Sequence, residues 1–204
     1  MNDNERDRIN NSNHELVKGL EPESVFRFLA DIAAVPRGSG NPGPMAEFVM
    51  EFARRRGLSS ERDQTGNVII KKTGQHTTAT RGVILQAHLD MVCVKDSASD
   101  HDFSRDPIAF KLEGDWLQAR GTTLGADDGI GVALALGILA DAEIAHPPLE
   151  ALFTVDEETD MKGAKAVKPE SLRGDTLINL DAEDLNIAYI SSAAGVSLKL
   201  ELPL

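Results

Sequence analysis

The sequence predicts an α/β domain with a mixed sheet flanked by helices. Three observations predict it. Stretches with helical spacing of apolar residues alternate with short β-branched runs. Turn residues bound those runs. Several runs end directly in histidine or acidic residues, as expected where ligands sit beyond the carboxyl ends of strands.

Residues 1–20 read as a polar, mobile arm. Pro22 opens a helix whose Val25, Phe26, Leu29, Ile32 and Ala33 share a face. Pro36 ends it, and PRGSGNPG is a loop. A second helix begins at Pro44, shows Phe48, Val49 and Phe52 on one side, and stops at Gly57. NVIIKK (67–72) and GVILQAHLD (82–90) are strands. After a polar, turn-rich stretch at 95–107, IAFKLEGDWLQAR (108–120) forms a hairpin turning at Glu113-Gly114-Asp115. Residues 129–140 form a buried helix rich in small side chains. LEALFTV (149–155) and TLINL (176–180) are buried strands, each followed by acids. From Asn186, NIAYISS and VSLKLELPL read as two further strands, the second stopping in mid-pattern at Leu204.

Composition narrows the function. With 21 Lys and Arg against 33 Asp and Glu, the 204-residue chain carries a formal charge of −12. Phosphate binding and anionic lipid both need a basic surface, so neither nucleic acid nor a membrane is the expected partner. A hydrophobic share of 41% suffices for a core and excludes an acidic disordered chain. Cys93 stands alone and forms no internal disulfide. The first residues lack the apolar run of a signal peptide, and the longest apolar run, 129–140, falls short of the ~20 residues that span a membrane. A cytoplasmic protein is expected.

The chemistry is concentrated at strand ends. His88 and Asp90, two apart on an extended segment, face the same way, so the carboxylate can orient the ring of a metal-binding histidine. An isolated pair of this kind is more often a hydrogen-bonded strand end. Asp127 and Asp128 lie between Gly125 and Gly129 at a helix entrance, where capping is the plain explanation and bridging of two cations the functional one. Asp156, Glu157 and Glu158 follow an apolar run and repel one another unless solvated or bound to cations. Asp181 and Glu183 repeat the arrangement. One acid at a strand end is routine; four such placements are not.

Together AHLDMV (87–92), TTLGADDGIG (122–131), FTVDEETDMKGA (153–164) and LINLDAED (177–184) resemble the co-catalytic zinc aminopeptidase and carboxypeptidase family. Within it they are most similar to the dipeptidases that cleave Xaa-His and other unblocked dipeptides, whose PRxS loop PRGSGN (36–41) also resembles. The resemblance spans roughly residues 20–195. It implies a zinc-peptidase catalytic domain that hydrolyses dipeptides such as β-alanyl-histidine with a metal-activated water. His88 and Asp181 would bind one zinc, Asp127 would bridge two, and Glu158 would bind the second. Asp90 would orient His88, and Glu157 would act as general acid/base. Cobalt or manganese would be the substitutes for zinc.

Two departures accompany the resemblance. Asp128 stands where the subgroup commonly carries asparagine. The family's last zinc ligand is a distal histidine, and none of His14, His76, His101 and His146 has its context. The chain therefore reads as the N-terminal part of a longer enzyme. Residues 21–190 would be the incomplete catalytic domain, and 191–204 the start of an inserted lid or dimerisation domain through which the full-length enzyme would form a homodimer. Alone it would hold one zinc or none. Three alternatives remain open: a catalytically silent fragment; a tripeptidase, aminoacylase or desuccinylase of the same family; and, ranked last, a magnesium phosphoryl-transfer domain, for which no GxxxxGK[ST] loop is present.

Overall fold

The computed structural model describes residues 2–182, 184 and 186–191. Helices α1 (Asp3–Val17), α2 (Glu23–Ala33) and α3 (Gly43–Arg55) precede strands β1 (Ser59–Arg62), β2 (Val68–Lys72) and β3 (Val83–His88). The hairpin β4 (Phe110–Glu113) and β5 (Trp116–Ala119) follows. Then come α4 (Ala126–Ala140), β6 (Leu149–Thr154), the short helices α5 (Glu157–Asp160) and α6 (Lys162–Ala166), and β7 (Thr176–Asn179).

Five strands form one mixed sheet in the order β1-β2-β6-β3-β7. β3 runs parallel to both β6 and β7, while β2 is antiparallel to β6 and β1 to β2. The carboxyl ends of β6, β3 and β7 therefore open side by side at one end of the sheet. β4 and β5 pair separately. The main core lies between one face of the sheet and the helices, where Ile70, Leu85 and Phe153 pack with Leu29, Ile32, Val49, Val132 and Leu136. Side chains of this size each contribute roughly 1.5–3 kcal/mol when fully buried. The other face carries a small cluster, Ile69, Ile84 and Leu152, covered by Val167 and Leu172.

Three expectations need correction. Residues 3–17 are a helix, not a mobile arm: Asn2 caps it by accepting from the Glu5 amide at 3.0 Å, and Val17 is buried. The tie is distant in sequence. Buried Asn13 donates through Nδ2 to the Ile108 carbonyl at 2.8 Å and accepts from the Phe110 amide at 2.9 Å. A polar residue pairing with a strand edge ~100 positions away leaves no local signal. Second, β7 is an edge strand, not a buried one. Leu177 and Ile178 are 52% and 46% exposed, because among the described residues nothing pairs its outer side. Third, residues 186–191 form no strand, and Val196–Leu204, expected as another, lies outside the described residues. β1, with sequence SSER, is a polar edge strand that lacks any apolar alternation to betray it. No helix among the described residues is long and apolar enough to cross a membrane.

Candidate metal centre

The sheet brings His88, Asp90, Asp127, Glu157, Glu158 and Asp181 to its carboxyl end. Glu183 lies outside the described residues. His88 is the last residue of β3 and is fully buried. Its neighbour Leu89 extends the parallel pairing by donating to the Thr154 carbonyl at 2.8 Å. Asp90 then stands behind the ring, its Oδ1 3.3 Å from His88 Nδ1. On the opposite side, His88 Nε2 lies 2.9 Å from Asp127 Oδ1 and 3.9 Å from Asp181 Oδ2.

Asp127 opens α4 behind Gly125, which adopts φ +70°. Its side chain is largely exposed, so it faces both the ring and solvent. Asp128 turns the other way. It is buried, and its two oxygens accept from the His88 amide at 3.0 Å and the Gly131 amide at 3.1 Å. That contact ties the start of α4 to the end of β3.

β6 leads through Asp156 into α5. Asp156 sits at φ +53° and accepts from the Gly40 amide at 2.6 Å. The turn points the amides of Glu157 and Glu158 at the Asp90 carboxylate, at 3.1 and 3.3 Å, and leaves both glutamate side chains half-buried. Asp181 follows β7, held by the Leu180 amide donating to the Gln86 carbonyl at 2.8 Å. Asp90 takes one more donor, the Ser39 hydroxyl at 2.7 Å.

These surroundings set the charges. Burial opposes a charged His88, but the carboxylates of Asp90 and Asp127, with Asp128 beyond, raise its pKa to about 9. Burial likewise opposes ionised Asp90, yet His88, Ser39 and the Glu157 amide outweigh it and lower its pKa to about 2. For Asp128 burial prevails: its pKa rises to about 7 despite the two amide donors and the His88 charge. Glu157 and Glu158 are also raised, first by burial and then by neighbouring carboxylates.

Two groups bring potential ligand atoms within 4.8 Å of one another: His88 with Glu157 and Asp181, and His88 with Asp127 and Glu158. Both draw on the same imidazole, whose Nδ1 is turned to Asp90. One Nε2 lone pair serves one ion, so any second ion would depend on carboxylates. A donor set of one imidazole and several carboxylates suits zinc or manganese better than magnesium. An open groove of about 900 Å³ borders the group, lined by Gln86, Thr154, Glu157, Met161, Leu177 and Asp181. A cavity of about 490 Å³ at the opposite end of the sheet contains Glu150, which already accepts from the Arg173 and Gly174 amides.

Sequence reasoning singled out PRGSGN by resemblance and Asp128 as a helix cap, but not the contacts of Ser39 and Arg37 with Asp90 or of Asp128 with the His88 amide. Local pattern shows PRGSGN only as a turn; that its arginine is 4% exposed is a tertiary fact.

Residues 84–191 match the model of peptidase family M20/M25/M40. The chain is 42% identical over 186 residues to the cytosol non-specific dipeptidase of Escherichia coli (strain K12), covering 91% of this chain and 38% of that protein. It superposes on the crystal structure of aminoacylhistidine dipeptidase from Vibrio alginolyticus with a TM-score of 0.80 and 43% identity, covering 82% of this chain and 34% of that one. A tripeptidase from Staphylococcus aureus shares the fold at a TM-score of 0.67 and 21% identity, over 79% of this chain and 44% of that one. The chain thus spans less than half the length of each of these relatives.

Proposed function

Because the chain belongs to peptidase family M20/M25/M40, we propose that it supplies the metal-binding face of a zinc dipeptidase acting on unblocked dipeptides, Xaa-His among them. One observation carries this reading: four carboxylates from three separate segments converge on one buried imidazole, whose other nitrogen is backed by Asp90. In this reading His88 and Asp181 would hold one ion, Glu158 the second, and Asp127 would be shared between them. Divalent cations held there would supply Lewis-acid polarisation of a scissile carbonyl and a water acidified toward neutral pH. Asp90 keeps the His88 ring turned so that Nε2 faces the ion site. Glu157, which belongs to the group with His88 and Asp181 and lines the groove, would take a proton from the attacking water and deliver it to the departing amine. The groove bordering Glu157 and Asp181 is the place for the dipeptide.

The likeness to a dipeptidase at 42% identity supports this substrate class over N-acyl amino acids. The share of that relative covered, 38%, supports a second reading in which further residues complete the site and this chain alone is catalytically silent. One experiment addresses both. Zinc is counted by atomic emission on this chain, while β-alanyl-histidine and N-acetyl amino acids are offered to it and to the full-length enzyme. The dipeptidase reading expects dipeptide turnover by the full-length enzyme, and exclusive turnover of acylated amino acids would refute it. Two zincs and normal turnover in the 204-residue chain would refute the second reading.

A further inference from the structure

The loop joining α2 to α3 contributes none of the residues assigned to the metal centre, yet it touches every segment that carries one except β7. Arg37 Nη1 donates to the carbonyls of Leu89 at 3.2 Å and Asp90 at 2.8 Å, at the end of β3. Its Nη2 donates to the Gly125 carbonyl, two residues before Asp127. The Arg37 carbonyl accepts from the Met91 amide at 3.1 Å. Ser39 Oγ donates to the Asp90 carboxylate at 2.7 Å, and the Gly40 amide donates to Asp156, directly before Glu157.

A buried guanidinium is costly unless its donors are matched and its charge is opposed. Here both conditions hold, with three carbonyl acceptors and the carboxylates of Asp90, Asp127 and Asp128 nearby. The space is reserved for it as well: a side chain at Gly125 would meet Nη2, and one at Gly129 would approach it to 2.7 Å. An apolar residue would fill this volume at lower cost in desolvation, but it would not link the His88 segment to the Asp127 segment. Those two side chains come from segments 39 residues apart and stand 2.9 Å from each other.

We propose that the Arg37–Gly40 loop is the positioning element of the metal centre. Ser39 sets the Asp90 carboxylate behind His88, and Arg37 sets the separation of the strand end carrying His88 from the helix start carrying Asp127. The proposal rests on the metal-site reading above. Neither residue is a candidate ligand; Ser39 acts through Asp90 on His88, and Arg37 through the backbone beside His88 and Asp127.

The test uses the wild-type chain and its Ser39→Ala, Ser39→Thr and Arg37→Lys variants. Zinc affinity is measured by chelator competition, the cobalt(II) visible spectrum is recorded, and the melting midpoint of each metal-free protein is taken alongside. Ser39→Ala is expected to weaken zinc binding by roughly 10–100-fold and to alter the cobalt spectrum, as loss of a group orienting a ligand does. Its metal-free midpoint should move by no more than ~2 °C. Ser39→Thr, which keeps the hydroxyl, should restore the affinity. Arg37→Lys should weaken zinc by at least tenfold, because an ammonium cannot hold three carbonyls in a fixed fork. Should it fail to fold, the Ser39 pair decides alone. Wild-type binding with Ser39→Ala unchanged in affinity and spectrum overturns the positioning role. So does a joint fall in affinity and metal-free midpoint that threonine does not rescue. A wild-type chain that binds neither metal overturns the metal-site reading itself, an outcome distinct from both.

Discussion

Asp128→Asn should alter the pH dependence of stability more than stability at any single pH. In the folded chain the two oxygens of Asp128 accept from the His88 and Gly131 amides, and the residue is 1% exposed. Asparagine offers one acceptor oxygen, so in either orientation one amide faces an NH2 group. Leaving a buried donor unpaired costs about 1–3 kcal/mol. Against this stands the charge that asparagine removes. Burial raises the Asp128 pKa from 3.8 to about 7. For a carboxylate raised on folding, the penalty is absent below pH 3.8, grows as pH rises because the unfolded chain ionises first, and is complete above about 7. It then amounts to roughly 4 kcal/mol. The variant should therefore be less stable than wild type by about 1–3 kcal/mol in acid and more stable by a similar amount at pH 8. Urea unfolding of both proteins with a chelator present, at pH 4.5, 6 and 8, measures the difference. It should move by about 3 kcal/mol in favour of the variant across that range. Parallel stability profiles, or a difference running the other way, would refute the assignment of Asp128 as a buried carboxylate held against its preference.

Three further outcomes are expected. Asn13→Ala unpairs the Ile108 carbonyl and the Phe110 amide, so it should cost about 2–4 kcal/mol in urea unfolding; a loss below ~0.5 kcal/mol would show that α1 is not docked as described. Gly163→Ala would press a methyl group onto the Val155 backbone and to 2.5 Å from Asn67 Oδ1, and overpacking that backbone cannot relieve should cost about 1–3 kcal/mol or more, read by the same measurement. Adding zinc to chelator-stripped chain should raise the melting midpoint with the logarithm of free zinc, whereas His88→Ala, which removes the imidazole common to both ligand groups, should abolish that rise; an equal rise in the variant would place the ion elsewhere.

The readable and unreadable parts of this chain differ in kind. α2 and α3 were legible because Val25, Leu29, Ile32, Val49 and Phe52 recur at helical spacing and are in fact buried. The β4–β5 hairpin was legible from Gly114, which lies at φ +60° between two runs that pair in register. α1 was not legible. Its sequence is mostly polar, and its docking combines buried Val17 with one asparagine bonded to a strand edge far along the chain. β7 was recognised as a strand but not as an edge, because TLINL has the same composition whether or not a neighbour covers it.

The same division runs through the site. By themselves the residues singled out the groups expected at the site, a histidine and four acids at strand ends with Asp127 at a helix start, because side-chain type and position along an element are local properties of sequence. Only the tertiary structure decided which of these groups face one another. Parallel pairing of β3 with β6 and β7 sets their ends side by side, and the turn after β6 delivers two amides to Asp90. It also decided that Asp127 faces His88 while adjacent Asp128 turns inward to the backbone, and that Arg37 is buried against both segments. Separations of 2.9 and 3.9 Å between residues 39 and 93 positions apart depend on strand order and loop packing, which no local pattern encodes.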